Sequence, residues 1–124
     1  MVAASLGATV TIIERAGLGG SAVLTDVVPS KTLIATADLM TRVAEAGELG
    51  VKFDVDGGDF VPVMRADLKH INDRLLNLAR NQSHDIRDAL EKLGVRIIAG
   101  SGRLLDSHTI EVLTVDGTET VEAD

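Results

Sequence analysis

The chain has 124 residues, 45% of them hydrophobic, with a formal net charge of −7 and no cysteine, tryptophan or tyrosine. One domain with a buried core fits that length and composition. The lack of cysteine excludes disulfides, thiolate nucleophiles and Cys-ligated metals. The acidic balance and the 2% aromatic content argue against nucleic-acid platforms and anionic membrane surfaces.

In chain order, Val2 to Leu6 is small and helix-compatible, and Gly7 stands where a helix would end. The β-branched run Thr9 to Ile13, ending on Glu14, predicts a buried parallel strand. No basic region precedes the first apolar residues, so no signal peptide is read there, and no apolar run is of membrane-spanning length. The cytoplasm is the expected location.

Pro29 to about Ala46 reads as a helix with Leu33, Ala37, Met40 and Ala44 on its apolar face. Gly47 and Gly50 end it, and Val51 to Val55 is a short strand candidate. Asp59 is then an N-cap candidate with Pro62 just inside a long helix running to Leu93. Its stripe of Met64, Leu68, Ile71, Leu75 and Leu78 weakens over Arg80 to Asp85 and resumes at Ile86, Leu90 and Leu93. A continuous helix of that span would be about 50 Å long. It should project or pack on another surface.

Val95 to Ala99 predicts a strand, followed by Gly100-Ser101-Gly102. Arg103 to Leu105, Thr109 to Val115 and Thr118 to Glu122 read as a β-meander, with Asp116-Gly117 as the hairpin turn. His70 and His84 would lie several turns apart on one helix, and His108 lies elsewhere, so no metal site is read from the histidines.

The stretch from Gly17 to Lys31 admits three readings. Gly17-Leu18-Gly19-Gly20-Ser21-Ala22 matches G-x-G-x-x-[GA], the dinucleotide fingerprint. However, Val23, Thr25, Val27 and Val28 are poor helix openers, and the acid expected about 20 positions on would be Asp38, inside a helix. On the second reading the stretch is a glycine-rich turn between a strand and a helix. On the third, Glu14 is itself the acid at the end of a second Rossmann strand, where a carboxylate accepts hydrogen bonds from a ribose. Its glycine loop and first strand are then expected upstream, so that residues 1–124 form part of a larger domain.

The run TVTIIERAGLGGSAVLTDVVPSKTLIATADL resembles the FAD domain of the flavoprotein disulfide reductases, the family of lipoamide dehydrogenase and glutathione reductase. Its pattern is an acidic strand end and then G-G-x-C-x-x-x-x-C-x-P-S-K. Gly19-Gly20 and Pro29-Ser30-Lys31 match, while the two cysteine positions hold Ala22 and Val27. The similarity extends over nearly the whole chain and is nearest to a branch of quinone reductases with degenerate cysteines. It implies an α/β fold: a partial FAD/NAD(P)-binding Rossmann-like domain with a long helical excursion and a C-terminal β-meander.

The resemblance also implies that Glu14 binds the adenosine ribose, that Gly19 and Gly20 lie against FAD, and that Ser30 sits near the cofactor. Lys31 would approach the flavin ring, and Gly102 or Gly100 would face the adenine end. Glu14 and Lys31 are thus expected on a shared cleft. FAD is the expected cofactor, with NAD or NADP as donor in the full-length protein, a quinone-like or other small molecule as acceptor, and a homodimer as the assembly. With no thiol at positions 22 and 27 there is no dithiol relay. No catalytic residue is assigned. The alternative is a non-enzymatic assembly module built on the long helix and the meander.

Overall fold

The computed structural model describes residues 1–52, 54–55, 58–59 and 64–124. A short helix α1 (Val2–Ser5) leads into strand β1 (Thr11–Glu14). Helices α2 (Gly20–Leu24) and α3 (Val27–Glu45) follow. A small antiparallel pair, β2 (Asp54–Val55) and β3 (Gly58–Asp59), precedes the long helix α4 (Leu68–Lys92). The chain closes with β4 (Arg96–Ala99), β5 (Ser101–Leu104), β6 (Thr109–Thr114) and β7 (Gly117–Glu122).

β1 and β4 pair in parallel, Thr11 opposite Arg96 through Glu14 opposite Ala99. The helices form the connection between them, as parallel strands require. β5, β6 and β7 form an antiparallel meander in that order. Side chains alternate across the β1–β4 pair. Val10, Ile12 and Ile97 face a core of Leu18, Leu90 and Val95 on the helix side. Ile13 faces the opposite core of Ile98, Val112 and Val121 under the meander. The architecture is therefore α/β, as expected, with helices, a parallel pair and a meander in three layers. All four β1 residues are half-buried rather than fully buried, and β4 is its only strand partner among the described residues.

Several boundaries differ from the sequence reading. α4 starts at Leu68, not after Asp59. Asp67 is its N-cap, one carboxylate oxygen accepting the His70 N–H at 2.9 Å. Asp59 lies in β3, and Pro62 lies outside the described residues. The helix is about 37 Å long at its 25 residues. Its buried stripe does not weaken at Arg80 to Asp85. Ile71, Leu75, Ala79, Ser83, Ile86 and Leu90 form one continuous face, filled by small residues at its middle.

α3 also turns a different face inward. Val28, Pro29, Thr32, Thr36, Met40 and Val43 are its half-buried positions, while Leu33, Ala37 and Ala44 are exposed. Two threonines can occupy that face because each hydroxyl donates to a carbonyl four residues back: Thr32 to Val28 at 2.9 Å and Thr36 to Thr32 at 3.2 Å. The strand expected at Val51 to Val55 is reduced to Asp54–Val55. The last hairpin turns at Val115-Asp116, one residue early. The Thr114 hydroxyl clamps that turn, donating to the Gly117 carbonyl at 3.0 Å and accepting the Asp116 N–H at 3.2 Å.

Candidate cofactor site

Glu14 ends β1, half-buried, at the carboxyl end of a parallel pair. Ligands of open α/β sheets lie at such strand ends. The chain then turns back, and the Ala16 N–H donates to Glu14 Oε1 at 2.7 Å. That bond is the largest influence holding the Glu14 pKa below its ordinary value. Burial opposes it, and the Gly17 and Arg15 N–H groups and the Arg15 charge assist. Glu14 is therefore a fixed, ionised acceptor at neutral pH.

The glycine loop follows directly. Contrary to expectation, Gly19 opens a helix, the five-residue α2. Val23 stabilises it by burial, despite the run's poor helix propensity. Gly19 has φ +96°, and a Cβ there would run into Val23 and come within 3.1 Å of Ile86 on α4. Its glycine is thus required by the fold itself. Gly20 differs. Its φ is +57°, yet a Cβ would meet nothing within 4 Å. On that open side a ligand can approach the backbone. Gly17 packs against α4, its Cβ position 3.3 Å from the Ser83 hydroxyl.

Gly100 and Gly102 are brought to the same strand end. The Gly100 N–H donates to the Glu14 carbonyl at 3.2 Å. Gly102 lies within β5, where a Cβ would sit 3.3 Å from Ile13 Cδ1. Close packing of the meander on β1 accounts for a small residue there. Ser30 sits in the first turn of α3, its hydroxyl donating to the Asp26 carbonyl at 2.7 Å. It keeps acceptor capacity for a ligand.

Lys31 lies one residue beyond Ser30 on α3. It lines a cavity of about 720 Å³ between α3 and α4 that does not include Glu14. Ala22 and Val27 are both exposed, in α2 and at the start of α3. The sequence reading missed the groove residues His70 and Arg74. Their signal was the i, i+4 spacing on α4, which places both on one face.

No protein-family model matches the sequence. The chain is 42% identical over 122 residues to an NAD(P)H dehydrogenase (quinone) of Mycobacterium tuberculosis, covering 93% of this chain and 24% of that protein. It is 32% identical over 113 residues to a soluble pyridine nucleotide transhydrogenase of Mycobacterium bovis, covering 90% and 23%. It is 26% identical over 118 residues to a dihydrolipoyl dehydrogenase of Geobacillus stearothermophilus, covering 95% and 23%. Among solved structures it superimposes on LpdA from Mycobacterium tuberculosis with a TM-score of 0.82 at 39% identity, over 99% of this chain and 26% of that one. The chain thus spans about a quarter of the length of these relatives.

Proposed function

From the premise that this chain belongs to the flavoprotein disulfide reductase family, we propose that it is part of the FAD domain of an NAD(P)H-dependent oxidoreductase. The proposed acceptor is a quinone-like or other small molecule, and the full-length enzyme works as a homodimer. The observation that carries this reading is Glu14. It is a half-buried carboxylate at the end of a parallel strand, kept ionised by the N–H groups of the loop that follows.

The residues present fit a flavin dinucleotide. Glu14 would accept hydrogen bonds from the adenosine ribose. Gly20 leaves its outer side clear for the cofactor, while Gly19 holds the loop on α4. Ser30 would accept a hydrogen bond, Lys31 would place a cation toward the electron-rich ring, and the Gly100-Ser101-Gly102 backbone would border the adenine end. Bound flavin supplies hydride acceptance from NAD(P)H and electron release to the acceptor. Ala22 and Val27 offer no thiol, so the proposed electron route bypasses any redox-active disulfide at these positions.

The test is the full-length protein. It should purify yellow and oxidise NAD(P)H with a quinone or dye while leaving lipoamide and glutathione disulfide unreduced. A colourless preparation that gains no flavin spectrum on incubation with FAD would overturn the reading.

A further inference from the structure

The groove between α3 and α4 has a chemistry that the cofactor reading uses only at Lys31. Its volume is about 720 Å³, within the range of small-molecule sites. Leu39, Ile71 and Leu78 give it apolar walls, and Lys31, His70 and Arg74 give it cationic or protonatable groups. No carboxylate lines it, although the chain carries 19 acidic residues against 12 basic ones. Among the described residues Lys31 and Arg74 make no salt bridge, whereas Lys69, Arg87, Arg96 and Arg103 each hold a carboxylate. Asp73, next to Arg74 in sequence, is held instead by Lys69 at 2.8 Å.

Neither cation has a carboxylate partner among the described residues, and both line a groove with apolar walls. Their positions are complementary to a ligand. We propose that the α3–α4 groove binds a small amphipathic organic anion, with a carboxylate or sulfonate between Arg74 and Lys31 and a flat apolar body against Leu39, Ile71 and Leu78. The volume favours a small molecule over a polypeptide, and the apolar walls favour a ring-bearing acid over an inorganic ion. The site overlaps the proposed flavin site. Lys31 is the one residue common to both sites, so the test leaves it unchanged.

Calorimetric titration of the purified protein with naphthalene sulfonate, and with the isosteric neutral sulfonamide, tests the proposal. The sulfonate should bind saturably and more tightly than the sulfonamide. Arg74→Glu should weaken the sulfonate by about five-fold or more, Arg74→Lys should restore most of the affinity, and the sulfonamide should be indifferent to both. Arg74 is exposed and carries no salt bridge, so neither change disturbs the fold; circular dichroism checks this. Arg80→Glu, an exposed α4 arginine outside the groove, should leave binding unaltered. Equal affinity for acid and sulfonamide, absence of saturable binding, or an equal loss in Arg80→Glu would each overturn the proposal. The last outcome would mean that only bulk charge is being read.

Discussion

Glu14 ties down the loop that follows it with one carboxylate, and that tie depends on pH. The loop N–H groups bind its ionised form, so its pKa in the folded chain lies below the ordinary glutamate value. The resulting stabilisation is complete above the ordinary value and is lost as pH falls through the lowered one. Glu14→Gln removes this linkage. Between about pH 6 and pH 3 the wild type should therefore lose more melting temperature than the variant. At neutral pH the same variant should bind FAD about ten-fold more weakly, because a charge-assisted hydrogen bond becomes a neutral one. The neighbouring glycines divide in a similar way. Gly19→Ala meets both a positive φ and Val23, and should cost roughly 1–3 kcal/mol of folding stability in urea titrations. Gly20→Ala meets no side chain, so strain of about 1 kcal/mol is its whole cost to the fold. If FAD lies on that open side, Gly20→Ala should lower flavin affinity by more than its loss of stability explains.

At the scale of elements, the start of α4 shows what the sequence could and could not tell. Both Asp59 and Asp67 are acceptable N-caps, and a proline near the first made it persuasive. Only the three-dimensional structure shows Asp67 accepting the His70 N–H. Asp67→Ala should cost about 1 kcal/mol and fray the first turn, seen as faster amide exchange at His70 and Ile71. The inward face of α3 was illegible for another reason. Hydropathy favours Leu33 over Thr32, but a threonine whose hydroxyl is satisfied on its own helix packs much like valine. What decides between the faces is the neighbour, α4, whose residues are more than thirty positions away. The apparent gap in the α4 stripe has the same origin. Ala79 is small and buried, and Ser83 is small where Gly17 comes close, so the face is continuous in shape though not in hydropathy. By contrast, β1, β4 and the meander were legible, because β-branched runs and turn residues are local signals. The strand-end position of Glu14 and the glycine loop after it were legible from their order. The groove that Lys31 lines was not, since it depends on how α3 lies on α4.

At the scale of the whole molecule, the parallel pair β1–β4 is a partition. Ile97 belongs to the core under the helices and Ile98 to the core under the meander, although they are adjacent in sequence. Distance along the chain is therefore a poor guide to energetic coupling here, and distance through the fold is a good one. Ile97→Val and Ile98→Val each remove a methylene, from a half-buried and a buried side chain, and should cost roughly 0.5–1.5 kcal/mol, with Ile97 at the low end. They share no packing partner in either core, so their double variant should be additive within about 0.5 kcal/mol. Ile98→Val and Val112→Ala are fourteen residues apart but share one core. The void left by one changes the surroundings of the other, so this pair should show a coupling of about 0.5 kcal/mol or more. Urea unfolding of the three single and two double variants decides the matter. Coupling between the sequence neighbours, with additivity across the meander core, would mean that the two faces of β1–β4 do not pack as separate layers.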